Sequence, residues 1–303
     1  MKILVTGAHG FLGSHFCKAW QEQNHEIVSL GKSNNNNIIC DLSKNTPAFN
    51  KQIDIVLHIA GKAHTIPKTE AEKEDFFNVN VNGTKNLLKG LTALKEKPKS
   101  LLYISTVGVY GLNSGELIPE NSSLLAKDPY GLSKIHAENL VLNWGKKNNI
   151  PVSIIRPPLI IGKNAPGNLF KMIKGIKNNR YANIGGGKAK RSMVLAEDIA
   201  NFSLTLIDKQ GIYNLTDGYD PSFYELSHLI GKKESKKITN IPFFLAKLIA
   251  LSGDLLSFIL RREMPFSSNK LKKMTSSLTY DITLAKKLGW APRKVLENSK
   301  IWL

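Results

Sequence analysis

Short apolar runs alternate with amphipathic stretches along the first half of the chain, and the alternation predicts strands and helices in turn. Lys2-Ile3-Leu4-Val5-Thr6 is too short for a helix and reads as a buried strand; it breaks at Gly7, and Ser14 to Gln23 read as the first helix. Glu26 to Leu30 and Ile38 to Leu42 follow as the second and third strands. Asp54 to Gly61 is a near-continuous apolar run of the kind buried on both faces of a parallel sheet. Glu70 to Leu94 carries a long helical pattern, Ser100 to Thr106 reads as a strand, and a helix begins at Asp128-Pro129. Val152 to Arg156 is a sixth strand, stopped by Pro157 and Pro158. Strands and helices in this order predict an α/β fold, a doubly wound parallel sheet with right-handed crossovers.

Beyond residue 160 the pattern loosens. Gly162 to Gly187 is rich in glycine, asparagine and lysine, as suits a lobe that faces a substrate. Lys190 to Val194 leads into a helix begun by Glu197-Asp198, Gly211 to Leu215 is a short strand, and Asp281 to Leu288 is a helix stopped by Gly289. The predicted division is a sheet domain over 1–160, to which strands return near 190–215, and a smaller lobe over 161–303. Ile241 to Leu260 is a mostly apolar run ending at Arg261-Arg262. It has the length to span a bilayer, but Lys247 and Asp254 lie inside it, and each such charge near the centre costs about 2.5–3.5 kcal/mol. The reading is a pair of helices packed in or over the small lobe, with an interfacial membrane contact through 241–262 as the alternative.

Composition narrows the picture. With 303 residues, 42% of them hydrophobic, the chain can bury a large core. Cys17 and Cys40 have no metal-ligand spacing with the histidines, so reduced thiols and no metal are expected. Met1 is followed at once by a core strand, which leaves no room for a cleavable leader and predicts a cytoplasmic protein. The net charge is +18, and residues 231–303 hold 15 Lys/Arg against 5 Asp/Glu, so +10 of it lies in the last quarter. Such a field attracts polyanions. No nucleic-acid module accompanies it and the cations are not interleaved with aromatics, so a solvated basic face is expected rather than a nucleic-acid partner.

The candidate chemistry begins at Thr6-Gly7-Ala8-His9-Gly10-Phe11-Leu12-Gly13. Between a strand and a helix, this spacing reads as a phosphate-cradling turn. Gly7 permits the turn, Gly10 lets backbone approach a pyrophosphate, and Gly13 lets helix pack on strand; Phe11 and Leu12 lie in the same cofactor-binding turn, and the N-terminus of the helix faces the phosphate. At the end of the second strand, where NAD-binding sheets carry an acidic residue, this chain has Leu30-Gly31-Lys32-Ser33. Lys32 and Ser33 suit a 2′-phosphate, so NADP(H) is favoured, with NAD(H) the alternative. Asp41 and Leu42 at the third strand are placed for the adenine end. Ala60 and Gly61 are small where a cofactor must pass, and His58 beside them reads as a satisfied core histidine. The glycine turn, Ala60-Gly61, Thr106 and Pro157 should converge at the C-terminal strand ends.

Tyr130 and Lys134 are four residues apart and share a helix face. A phenol near pKa 10 is a poor base at neutral pH, and an ammonium one turn away favours its phenolate. With the glycine turn, the hydroxyl-bearing strand end before Val109-Tyr110-Gly111 and Tyr130-x-x-x-Lys134 in this order, the chain resembles the extended short-chain dehydrogenase/reductase family, in its nucleotide-sugar epimerase and ketoreductase branch. The resemblance runs through essentially the whole chain. It implies a Rossmann-type sheet over 1–160 that binds the dinucleotide, a substrate-binding C-terminal lobe, and a homodimer through the helices starting near Glu70 and Tyr130.

The resemblance also implies roles. Tyr130 is the general acid/base, Lys134 tunes it and holds the nicotinamide ribose, and Thr106 orients the reacting sugar oxygen. Asn80 stands near the cofactor, and Asn168 and Arg191 contact the diphosphate of a nucleotide sugar. Ser192-Met193 stands where the family has Asp-Tyr, and Arg156-Pro157-Pro158-Leu159-Ile160-Ile161-Gly162 departs from Arg-Pro-x-x-Val-Tyr-Gly. The dehydratase branch has an Asp-Glu pair after its catalytic Ser/Thr, whereas Val107-Gly108 follows Thr106 here, which argues against dehydration. The expected reaction is oxidoreduction at C4 of a UDP-type sugar for surface polysaccharide synthesis, as a 4-keto-sugar reductase or, alternatively, a 4-epimerase. A non-catalytic dinucleotide sensor is the distant alternative, because such proteins lose the Tyr or Lys that this chain keeps.

Overall fold

Ile3, Leu4 and Val5 are all fully buried, and successive strand side chains point to opposite faces, so both faces of this strand must be covered. The computed structural model, which describes residues 1–63, 65–261 and 266–303, shows how. In chain order the first half holds β1 (Lys2–Thr6), α1 (Phe11–Gln21), β2 (Glu26–Gly31), β3 (Ile38–Ile39) and β4 (Ile55–His58). Then come α2 (Glu70–Phe77), α3 (Gly83–Thr92), β5 (Ser100–Ile104), β6 (Gly115–Ile118), α4 (Pro129–Asn148) and β7 (Val152–Arg156). The second half holds β8 (Leu159–Ile161), α5 (Asn168–Lys177), β9 (Ala182–Ile184), β10 (Met193–Leu195), α6 (Ala196–Ser203) and β11 (Gly211–Asn214). It ends with α7 (Phe223–Lys233), β12 (Thr239–Ile241), α8 (Phe243–Leu260), α9 (Ser268–Thr275), β13 (Leu278–Tyr280) and α10 (Thr283–Lys287).

Among the described residues, seven parallel strands form the central sheet in the order β11-β7-β5-β4-β1-β2-β3. Ile3, Val5, Leu57 and Ile104 face α1 and α6, whereas Leu4, Val56, Tyr103 and Ile154 face α3 and α4. Trp20 ties α1 to α6 by donating to the Ala200 carbonyl at 3.0 Å. Strand order reverses between β1 and β4, and in open α/β sheets that switch point opens the ligand crevice. The sheet draws β11 from beyond residue 160, while Leu169, Met172, Ile176, Leu226, Ile230 and Trp302 build a separate apolar core for the lobe.

Several boundaries correct the sequence reading. The first helix begins at Phe11 rather than Ser14, because Gly10 adopts the extended geometry of an N-cap. The third strand is only Ile38–Ile39; Asp41 turns the chain instead, its carboxylate accepting from the Ser43 amide (3.0 Å) and hydroxyl (2.6 Å). The long helix from Glu70 is broken by a π-helical turn at Asn78–Asn82 and ends at Thr92. Ile241 to Leu260 does not form a packed helix pair. Ile241 ends β12 and the rest forms one helix, α8, with Pro242 at its N-cap, where a missing N–H is harmless, and Gly253 inside the small-residue stripe Ala246, Ala250 and Gly253 that is the helix's buried side. Arg261 caps its C-terminus, and Arg262 lies outside the described residues.

Candidate functional site

Gly7 has φ +72°, and a Cβ there would lie 2.9 Å from the Ala60 amide nitrogen; a Cβ on Gly13 would lie 2.1 Å from the Gly7 carbonyl oxygen. Both positions therefore exclude any side chain, and the chain passes from β1 into α1 pressed against the end of β4. The turn opens on a cavity of about 400 Å³ lined by Gly7, Gly10, Phe11, Leu12, Gly13, Ala60, Gly61, Thr106, Tyr130, Lys134 and Pro157. A second cavity, of about 590 Å³, shares Gly7, Gly10, Ala60 and Gly61 with it and runs past Lys32, Ser33, Asp41 and Leu42. A third, of about 490 Å³, adjoins it at Pro158 and Leu159 and enters the lobe, where Asn168 and Arg191 line it. The three form one groove across the switch point. A side-chain-free turn at a helix N-terminus, with small residues opposite, fits a dinucleotide pyrophosphate.

At the centre of the groove Thr106, two residues past the end of β5, is the N-cap of a short turn, its hydroxyl oxygen accepting from the Gly108 amide at 3.1 Å. Tyr130 opens α4, where Asp128 caps the helix and Pro129 fixes its first turn. Burial raises the Tyr130 phenol above its ordinary pKa, and a hydrogen bond with the Thr106 hydroxyl partly offsets this. Lys134 is buried one turn on. Its Nζ donates to the Ile104 carbonyl at 2.6 Å and stands 4.3 Å from the Tyr103 ring centre, and burial pushes its pKa down to about 7, with Glu138 opposing. The expectation that Lys134 holds the phenol below its ordinary value is thus corrected. Desolvation dominates both groups, and the ammonium is spent on a carbonyl. What the trio offers is a phenol within reach of a hydroxyl partner, beside a lysine able to gain or lose a proton near neutral pH.

The polar groups behind the site are fully engaged. Arg156 grips Glu138 bidentately, Nε to Oε1 at 3.0 Å and Nη2 to Oε2 at 2.6 Å, with both side chains 2% exposed. Ser105 donates to the same carboxylate, and Arg156 also reaches the Tyr110 hydroxyl and the Glu120 carbonyl. This lattice locks α4 against the ends of β5 and β7. His58 links the Thr6 hydroxyl (2.7 Å) to the Thr84 hydroxyl (2.8 Å), and burial pushes its pKa down to about 3, so it stays neutral and structural.

Asn80 is not among the residues that line the groove but stands directly behind Gly61, which does. It sits in the π turn, accepts from the Lys62 amide at 2.7 Å, and donates to the Lys62 carbonyl (3.1 Å) and the Ser133 hydroxyl (2.8 Å). It therefore fixes the Gly61-Lys62 backbone to α4. The expected role of Arg191 is corrected. It lines the lobe cavity, but its guanidinium donates to the carbonyls of Lys190, Lys273 and Ser276, spending on the lobe donors expected for a diphosphate.

Sequence reasoning missed Lys62, which lines both dinucleotide cavities and pairs with Asp75, and Lys171 and Arg180, which join Arg191 around the lobe cavity. Lys171 stands three residues after Asn168 in α5, so helical spacing could have flagged it. Arg180 follows a turn and carried no such signal. The lobe cavity thus combines an apolar floor (Leu169, Met172, Met193, Leu226) with three cations at its rim, which suits a sugar attached to a diphosphate.

The profile of the NAD dependent epimerase/dehydratase family matches residues 3–216. The N-acetyl-alpha-D-glucosaminyl-diphospho-ditrans,octacis-undecaprenol 4-epimerase of Escherichia coli O157:H7 is 26% identical, over 95% of this chain and 89% of that protein. The UDP-glucose 4-epimerase of Vibrio cholerae is 26% identical, over 98% of this chain and 92% of that protein. Among solved structures, the UDP-glucose 4-epimerase of Thermotoga maritima with UDP-glucose superposes with TM-score 0.75 at 18% identity, covering 99% of this chain and 97% of that one.

Proposed function

The chain belongs to the NAD dependent epimerase/dehydratase family, is an enzyme that acts on nucleotide sugars with NAD(P), and from that premise we propose that it is a sugar 4-epimerase. What supports epimerisation is the likeness to two sugar 4-epimerases over 95% and 98% of the chain, and it rests on a single groove in which the glycine turn, the Thr106-Tyr130-Lys134 cluster and a cation-rimmed lobe cavity follow one another. The bound dinucleotide supplies the acceptor and donor of the C4 hydride. Tyr130 takes the proton of the C4 hydroxyl and later returns one to the C4 oxygen, and Thr106 orients that oxygen. Lys134 sets the charge beside the phenol. Asn168, Lys171 and Arg180 hold the diphosphate end while the keto sugar turns, with Arg191 fixing the lobe backbone beside them. Val107-Gly108 after Thr106 leaves no acid pair for eliminating water, so dehydration is not part of the reading.

A second reading, reduction of a 4-keto sugar, is favoured by one observation: Lys32 and Ser33 line the adenine end of the groove, where they suit the 2′-phosphate of NADP(H). The test is to supply a UDP-hexose or a 4-keto sugar, following the sugar by NMR and the cofactor by its absorbance. Interconversion of C4 epimers with no net change in cofactor supports epimerisation. Stoichiometric loss of NADPH with the 4-keto sugar supports reduction, and neither result overturns both readings. The proposal includes a homodimer through the outer faces of α2 and α4, which a light-scattering mass decides.

A further inference from the structure

The helix α8 is apolar on nearly every side, yet only Ala246, Ala250 and Gly253 are buried. Phe244, Leu248, Ile249, Leu255, Phe258 and Ile259 are all more than half exposed, Phe258 by 84%. Apolar surface of this extent on one element is not left to water without a purpose. By length and composition α8 could cross a bilayer, but its small-residue stripe packs on Leu271 of α9, and Asp254 accepts from the Ser268 amide at 3.1 Å. It is fastened lengthwise to the lobe, with its large apolar side chains exposed.

Charge decides what covers it. Lys247 projects from α8, Arg261 caps it, and Lys272 and Lys273 stand exposed on α9, whereas Asp254, the acidic residue of α8, is turned inward to α9. A second copy docked face to face would set these cations against one another, and among the described residues α8 and α9 expose no carboxylate on their own outer face to receive them. An anionic lipid surface complements both features, taking the apolar side chains into the acyl boundary and the cations at the headgroups. We propose that α8 and α9 form a docking surface for an anionic bilayer, with α8 lying in the interface rather than spanning it.

The surface adjoins the groove. β12, which leads into α8, pairs with β9, and Ala182, Asn183 and Ile184 of β9 line the lobe cavity, as does Met274 of α9. Docking therefore brings the mouth of the sugar cavity to the membrane. The proposal does not depend on which sugar or reaction the groove serves.

The test is flotation of the full-length protein with vesicles of phosphatidylglycerol and phosphatidylcholine, or of phosphatidylcholine alone. The protein should float with the anionic vesicles and less so at high salt. Replacing Phe244, Leu248, Leu255 and Phe258 together by Ser should cut the floated fraction at least about tenfold, and K247E with K272E should abolish the preference for anionic lipid. Circular dichroism and dinucleotide binding should stay unchanged in both variants, which separates lost docking from lost folding. Equal flotation of wild type and the serine variant overturns the proposal. So does a light-scattering mass that the serine variant halves without vesicles, which would assign the face to a second copy.

Discussion

Helices α4 and α8 have similar lengths, 20 and 18 residues, and opposite fates. The mixed α4 buries Lys134 and Glu138 at the heart of the enzyme, whereas the apolar α8 buries little beyond alanine and glycine. Hydrophobicity alone therefore does not decide what goes inside. α4 can bury charge because Glu138 and Lys134 each meet a partner: Glu138 has Arg156 and Ser105, and Lys134 has the Ile104 carbonyl. α8 lies at the surface: among the described residues its small-residue stripe packs on Leu271 of α9 and on Ile184 and Ile241, and its larger apolar side chains remain exposed.

The comparison can be tested from its strong end downwards. Tyr130→Phe removes the proton carrier and should lower turnover by about three orders of magnitude, while dinucleotide affinity measured by fluorescence titration stays within about twofold. Glu138→Gln leaves the Arg156 guanidinium buried without its counter-charge and should cost about 3–5 kcal/mol in urea unfolding. If that loss is under about 1 kcal/mol, the pair is not what holds α4 in place.

His58 gives a pH handle on the same sheet. Its pKa is pushed down to about 3 in the folded chain, so below the ordinary value near 6.5 the unfolded chain binds the extra proton first. Its contribution to stability is fully present above that value and is lost as pH falls towards 3. Comparing urea midpoints of wild type and His58→Asn between pH 7 and 5 should show the gap changing by up to about 1.4 kcal/mol per pH unit. The smallest effect belongs to α8: Leu255→Ser or Phe258→Ser should shift stability by no more than about 0.5 kcal/mol, against several for a buried apolar side chain.

Much of the groove was legible in the chain because its signals are local. Gly7, Gly10 and Gly13 are fixed by one turn, Tyr130 and Lys134 by one helical repeat, and Ala60-Gly61 by the end of an apolar run. Lys62, Arg180 and the Glu138-Arg156 pair were not legible. Each acquires its meaning from a segment far away in sequence, and no local pattern names the partner.

By itself, then, the sequence determined the alternation of strands and helices, the side-chain-free turn and the order of the chemical groups, since these follow from periodicity and steric exclusion over a few residues. The tertiary structure decided the protonation tendencies of Tyr130 and Lys134, the diversion of Asn80 and Arg191 to structural duties, and the exposure of α8. All three depend on how much water the folded chain excludes from a given place, and that is set only when distant elements close around it.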